Sequence, residues 1–138
     1  MPEQRETMDH LAQLVKTALE AADLSTYSEL LDSDVHWGPP ENTSACKNRR
    51  QVLTWYERGR DAGTRAHVSE VTVLGDRILV GLKVTNQKEA SAGEADRWQV
   101  LSVRNGRIVE IVGYEDRHGA LARALAADPP QNPSIDGG

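Results

Sequence analysis

Residues 95–116 read ADRWQVLSVRNGRIVEIVGYED, and this stretch decides the architecture. Asn105-Gly106 is the dipeptide best suited to a two-residue hairpin, because both central positions of such a turn need positive φ. It joins Ala95–Arg104 to Arg107–Asp116, two runs rich in Val, Ile and Leu that read as antiparallel strands. Earlier in the chain, Gly75 and Asp76 make a tight turn between two further strands, Arg65–Leu74 and Arg77–Gln87, while Lys88 to Glu94 is a longer polar link. Consecutive hairpins predict a mostly antiparallel, strongly bent sheet.

The first half has a different period. Met8, Leu11, Ala12, Val15, Ala18, Leu19 and Ala22 recur every three or four residues, one buried stripe on a helix from Arg5 to Ala22. Thr26 and Glu29 have capping-box spacing at the start of a short second helix carrying Tyr27, Leu30 and Leu31, which ends near Asp32 or Ser33. Val35-His36-Trp37 is a short strand stopped by Gly38-Pro39-Pro40. Asn48 then caps a third helix whose Val52, Trp55 and Tyr56 share one face up to Gly59. Ala120, Leu121, Ala124 and Leu125 add a last helical turn or two. Helices placed before strands make this an α+β chain with its sheet wrapped on the N-terminal helices.

A length of 138 residues fits one domain, expected over 1–127, with a proline- and glycine-rich tail over 128–138 expected to be disordered. Sixteen Lys plus Arg against twenty-one Asp plus Glu leave a net charge of −5, which disfavours nucleic acid or an anionic membrane as partner. The longest apolar run is only a few residues, so neither a spanning helix nor a signal sequence is expected, and a cytoplasmic address follows by default. Cys46 has no partner for a disulfide, and no histidines and carboxylates fall at metal-ligand spacing, so neither a metal nor a cofactor is expected.

The strands are apolar on both faces. Ile78, Val80, Leu82 and Val84 oppose Leu79 and Gly81, and Ile108, Val112 and Tyr114 oppose Val109, Ile111 and Gly113. With few helices available to cover a second face, the economical expectation is a homodimer; a curled sheet that buries part of its own second face is the alternative.

The order of elements, the motif Val35-His36-Trp37-Gly38-Pro39 and the hairpin from Asn105 to Arg117 resemble the nuclear transport factor 2-like superfamily, which includes SnoaL-like polyketide cyclases, ketosteroid isomerases and limonene epoxide hydrolases. The resemblance spans roughly Glu6 to Leu125. It implies a cone-like domain whose curved sheet wraps a long helix around a pocket, often as a dimer.

Asp116 is the first chemical candidate, since a carboxylate beside an apolar pocket gains basicity and can abstract a proton from carbon. Tyr114, two residues earlier, would project to the same side as a hydrogen-bond donor. The resemblance implies an acid or base near this end of the last strand. The alternative is that Asp116 pairs with Arg117 or caps the following turn. His36 and Trp37 must face opposite ways, with Trp37 expected inside and His36 outside. His67 shares that ambiguity, and His10 and His118 are expected in solvent. Tyr27, Trp37, Trp55, Tyr56 and Trp98 supply most of the rings available to hold an apolar ligand. Lys83 interrupts a strand; a buried ammonium there needs Asp96, Glu70 or Glu110 as partner, the alternative being a place at the dimer face. Cys46 stands before Lys47, Arg49 and Arg50, a setting that could lower its pKa, but with no base beside it the thiol reads as incidental. The Asp-Arg-Asp arrangement implied by the epoxide hydrolases would need Asp96, Arg97 and Asp116, but the first two are adjacent and face opposite sides of a regular strand.

The leading expectation is a protein that binds a small apolar or polycyclic molecule in an apolar pocket. Alternatives are a cofactor-independent isomerase, cyclase or epoxide hydrolase using an aspartate base, and a non-catalytic protein-interaction module that uses the sheet face.

Overall fold

The computed structural model describes residues 2–88 and 93–126. Its elements are α1 (Pro2–Ala21), α2 (Leu24–Leu30), β1 (Leu31–Gly38), α3 (Arg49–Asp61), β2 (Thr64–Leu74), β3 (Arg77–Asn86), β4 (Glu94–Arg104), β5 (Arg107–Tyr114) and α4 (Arg117–Leu125). The tail expected beyond Asp128 lies outside the described residues.

The α1 stripe is buried as the spacing requires, with Val15 wholly inaccessible. The helix stops at Ala22, which takes φ 52°, while the Asp23 amide donates to Ala18 O at 2.9 Å and the Ala22 amide to Leu19 O. That is a Schellman ending built on alanine instead of glycine. Asp23, and not Thr26, caps α2: its Oδ1 accepts from the Thr26 amide at 3.1 Å and its Oδ2 from the Thr26 hydroxyl at 2.7 Å. The shift matters for the next element. Leu31, expected in the helix, is the first residue of β1 and pairs with Ile108. Asn48 caps α3 as expected, accepting from the Gln51 amide at 2.9 Å.

The sheet order is β1-β5-β4-β3-β2, antiparallel except for β1 alongside β5. A flat sheet of five strands would hold its edges about 19 Å apart, wider than one helix. Yet α3 packs on β1 and on β2, the two edges. The sheet must therefore curl around it. Irregularities between Val68 and Glu70 and between Ser102 and Val103 sharpen the bend. Asn105 and Gly106 both take positive φ in the turn, as their hairpin demands.

The concave face carries the main core, including Val15, Leu31, Val35, Val52, Ile78, Val80, Leu101, Ile108 and Ile111, each fully shielded from solvent. Burial of such a side chain stabilises the fold by about 1.5–3 kcal/mol. Ile108 and Ile111 lie in the same core although three residues apart, because Val109 is bypassed in the β4–β5 register. The regular alternation expected in β5 is thus broken by a bulge. The other face is covered near its middle by α4: Ala120 and Ala124 pack on Leu79 and Val100, with Trp98, Tyr114 and Leu121 around them. The second apolar face seen in the sequence thus has a cover within this chain.

Candidate functional site

Between α3 and the concave sheet lies a cavity of about 850 Å³. Its lining comes from the end of α1, Leu24, Trp37 and Pro39, the exposed half of α3, and the ends of β2 to β5. Leu19, Leu24, Leu82 and Val84 make its walls apolar. Trp55, half exposed at the mouth, packs on Trp37 with ring centroids 5.3 Å apart.

Tyr56 marks the polar point of this hollow. Gln99, buried on β4, donates from Nε2 to Tyr56 Oη at 3.0 Å. Tyr27 Oη and Trp37 Nε1 crowd the same hydroxyl without reaching hydrogen-bonding geometry, and Gln99 Oε1 also lacks a partner. Burial pushes the Tyr56 phenol above its ordinary value, and the approach of Gln99, Tyr27 and Trp37 pulls it part of the way back. Burial likewise holds the Tyr27 phenol well above its ordinary value. Three buried polar atoms without partners in one spot are unusual, since each such atom costs about 1–3 kcal/mol.

The aromatic residues expected to hold a ligand divide into three groups. Trp37, Trp55 and Tyr56 line the cavity. Tyr27 sits behind Tyr56 in an edge-to-face contact of 5.4 Å and is fully buried, outside the lining. Trp98 and Tyr114 border the cavity, but they pair with one another on β4 and β5 and their rings turn to the α4 side. Trp98 lies over Gly81, where a Cβ would come 2.5 Å from its ring, and under the Arg117 guanidinium at 5.9 Å. Tyr114 packs against Gly119 of α4.

Asp116 is the N-cap of α4, accepting from the Gly119 amide at 2.7 Å; it is exposed and outside the cavity lining. Tyr114 and Asp116 thus do not converge on the hollow. Trp37 faces in and His36 faces out, where His36 Nδ1 lies 3.1 Å from Ser44 Oγ. His67 is on the surface beside Glu20, at 3.1 Å. Lys83 meets Asp96 at 3.3 Å and Glu94 at 3.8 Å. Glu70 and Glu110 hold Arg117 and Arg123 instead. Asp96 faces Lys83 while Arg97 faces the cavity, so the Asp-Arg-Asp arrangement does not form. Cys46 departs from expectation: burial raises its thiol pKa, and Sγ lies 3.8 Å from Gln51 O. Among the described residues no three His, Cys, Asp or Glu side chains cluster in a way that could hold a metal. No helix among them is long and apolar enough to cross a membrane.

Sequence reasoning missed Gln99 and the charged lining. Gln99 was visible in principle, because alternation back from Leu101 places a polar residue on the core face of β4. Arg58, Arg60, Arg65, Arg97 and Glu115 also line the cavity. They come from α3, β2, β4 and the end of β5, and no local pattern unites them.

The model of the SnoaL-like domain family matches residues 11–111. No curated protein matches the chain by sequence. Among solved structures, a cystatin-fold protein of Novosphingobium aromaticivorans is similar at a TM-score of 0.67 and 14% identity, covering 76% of this chain and 95% of that one. A polyketide cyclase candidate from Sinorhizobium meliloti gives a TM-score of 0.61 at 22% identity, over 78% and 98% of the two chains. An epoxide hydrolase of M. tuberculosis gives 0.61 at 19%, over 88% and 92%. At these identities the likeness is one of fold.

Proposed function

Because the chain belongs to the SnoaL-like domain family, we propose that it binds a small, largely apolar molecule in the cavity between α3 and the sheet. The observation that carries this reading is the cluster at Tyr56: Trp37 Nε1 and Gln99 Oε1, a donor and an acceptor without partners, belong to two residues that line an apolar hollow. A hydroxyl at one end of a ligand would satisfy both, accepting from Trp37 Nε1 and donating to Gln99 Oε1, and the walls would take its ring or hydrocarbon body. A cavity of this volume accommodates a molecule of polycyclic size.

Catalysis through an aspartate base has less support, since Asp116 spends its carboxylate on the Gly119 amide of α4 and Tyr114 turns toward α4. A protein-interaction module using the sheet face also has less support, because α4 already occupies part of that face.

The test is a thermal-shift screen with steroids, terpenoids and aromatic polyketides, run on the native chain and on Ala66→Trp, which fills the hollow from β2. The reading expects ligands that stabilise the native chain and lose that effect in the variant. Absence of stabilisation by any of these classes, or equal stabilisation of both proteins, contradicts it.

A further inference from the structure

We infer that the ligand is an anionic amphiphile, an apolar body with an oxygenated inner end and an acidic group at the cavity mouth. The inference deepens the binding reading above and rests on it. Four of the five charged residues lining the cavity are arginines: Arg58, Arg60, Arg65 and Arg97, against Glu115 alone. This occurs in a chain whose net charge is −5, so the cavity rim carries the sign opposite to that of the protein as a whole.

The guanidinium partners sharpen the point. Arg117 and Arg123, which tie α4 to the sheet, each hold a carboxylate at 2.8 Å. At the cavity the pattern differs. Among the described residues, Arg65 donates only to the backbone carbonyls of Arg60 and Thr64, and Arg97 to that of Asp96. Arg60 reaches the exposed Asp61 at 3.4 Å, a long contact with little hold on it. Among the described residues, neither Arg58 nor Arg97 has a carboxylate within ion-pair distance. In a chain with twenty-one acidic residues, rim arginines without carboxylates leave their donors available to an incoming anion.

Position fixes how the ligand would lie. Arg97 and Gln99 are two residues apart on β4, so both point to the concave side, about 7 Å from one another along the strand. Arg97 is exposed at the mouth and Gln99 is buried inside. A molecule whose oxygen meets Gln99 and Trp37 would therefore pass its acidic end beneath Arg97, with Arg58 approaching from α3. The low polarity of the walls strengthens that attraction relative to water. Neutral analogues lacking the acidic group would fill the same walls with less affinity.

Two probes with the same ring system separate the claims: 1-anilinonaphthalene-8-sulfonate and its neutral counterpart N-phenyl-1-naphthylamine, titrated by fluorescence at low salt. We expect the sulfonate to bind about tenfold more tightly, the gain from one charge-assisted contact. In the double variant Arg58→Gln/Arg97→Gln the sulfonate should lose that advantage while the neutral probe binds as before, which also shows the variant folded. Substituting Arg104→Gln, on the exposed hairpin, should change neither. Equal affinity of the two probes, or an advantage that survives the double variant, overturns the inference and leaves the binding reading standing. Failure of both probes to bind overturns the two together.

Discussion

Gln99 Nε2 donates to Tyr56 Oη at 3.0 Å, a hydrogen bond that ties β4 to α3 across the floor of the cavity. The same amide leaves its oxygen without a partner. Tyr56→Phe removes the acceptor and strands the whole buried amide, so it should cost about 1–2 kcal/mol in urea unfolding. Gln99→Leu removes the unpartnered oxygen along with the bond, and should stay within about 1 kcal/mol of the native chain. Both variants should weaken binding of oxygenated ligands relative to their hydrocarbon analogues.

Asp116 holds the first turn of α4 through the Gly119 amide. Asp116→Ala should lower stability by about 1 kcal/mol, and Asp116→Asn by a few tenths, because asparagine caps nearly as well. Neither should change the affinity of N-phenyl-1-naphthylamine. A large loss of affinity in the asparagine variant would show that this carboxylate belongs to the site.

Ala22 ends α1 in the left-handed region at φ 52°. Glycine adopts that conformation without a Cβ penalty, so Ala22→Gly should raise stability by about 1 kcal/mol, read as a higher urea midpoint with an unchanged slope.

Glu70 accepts two hydrogen bonds from Arg117 at 2.8 Å. The Arg117 guanidinium holds its carboxyl below the ordinary value of 4.5. Between the folded and the ordinary value the unfolded chain binds more protons, so the pair stabilises the fold above pH 4.5 and that contribution fades as pH falls through the lower folded value. The Tm deficit of Arg117→Gln should accordingly be largest near neutrality and shrink in acid. A deficit independent of pH would assign the role of Arg117 to its contact with Trp98.

Local signals carried most of the scaffold. Asn105-Gly106 announced its hairpin because the backbone of that turn demands those residues. Alternation alone separated Trp37 from His36. Two elements were misread where competing signals overlap. Asp23 outbid Thr26 as the cap of α2, and the bypassed Val109 moved Ile111 onto the face of Ile108, since a bulge leaves no mark in an unbroken apolar run. The second apolar face was legible, but the last helical turns, Ala120 to Leu125, were not assigned to cover it. In the site, Trp37, Trp55 and Tyr56 could be named from composition. The Tyr56–Gln99 bond and the arginine rim depend on bringing together residues from α3, β2 and β4, which only the curl of the sheet achieves.

Whether the hollow receives an apolar ligand whose hydroxyl lies against Tyr56, Gln99 and Trp37 is read from nitrogen-15 correlation spectra of the indole N–H groups during titration with 1-tetralol, a neutral aromatic alcohol that can accept from Trp37 Nε1 and donate to Gln99 Oε1. The Trp37 indole proton, a buried donor without an acceptor, should move furthest of the three tryptophans, and downfield as the hydroxyl oxygen engages it. A Trp37 resonance that stays fixed while the alcohol saturates the protein would overturn the binding reading.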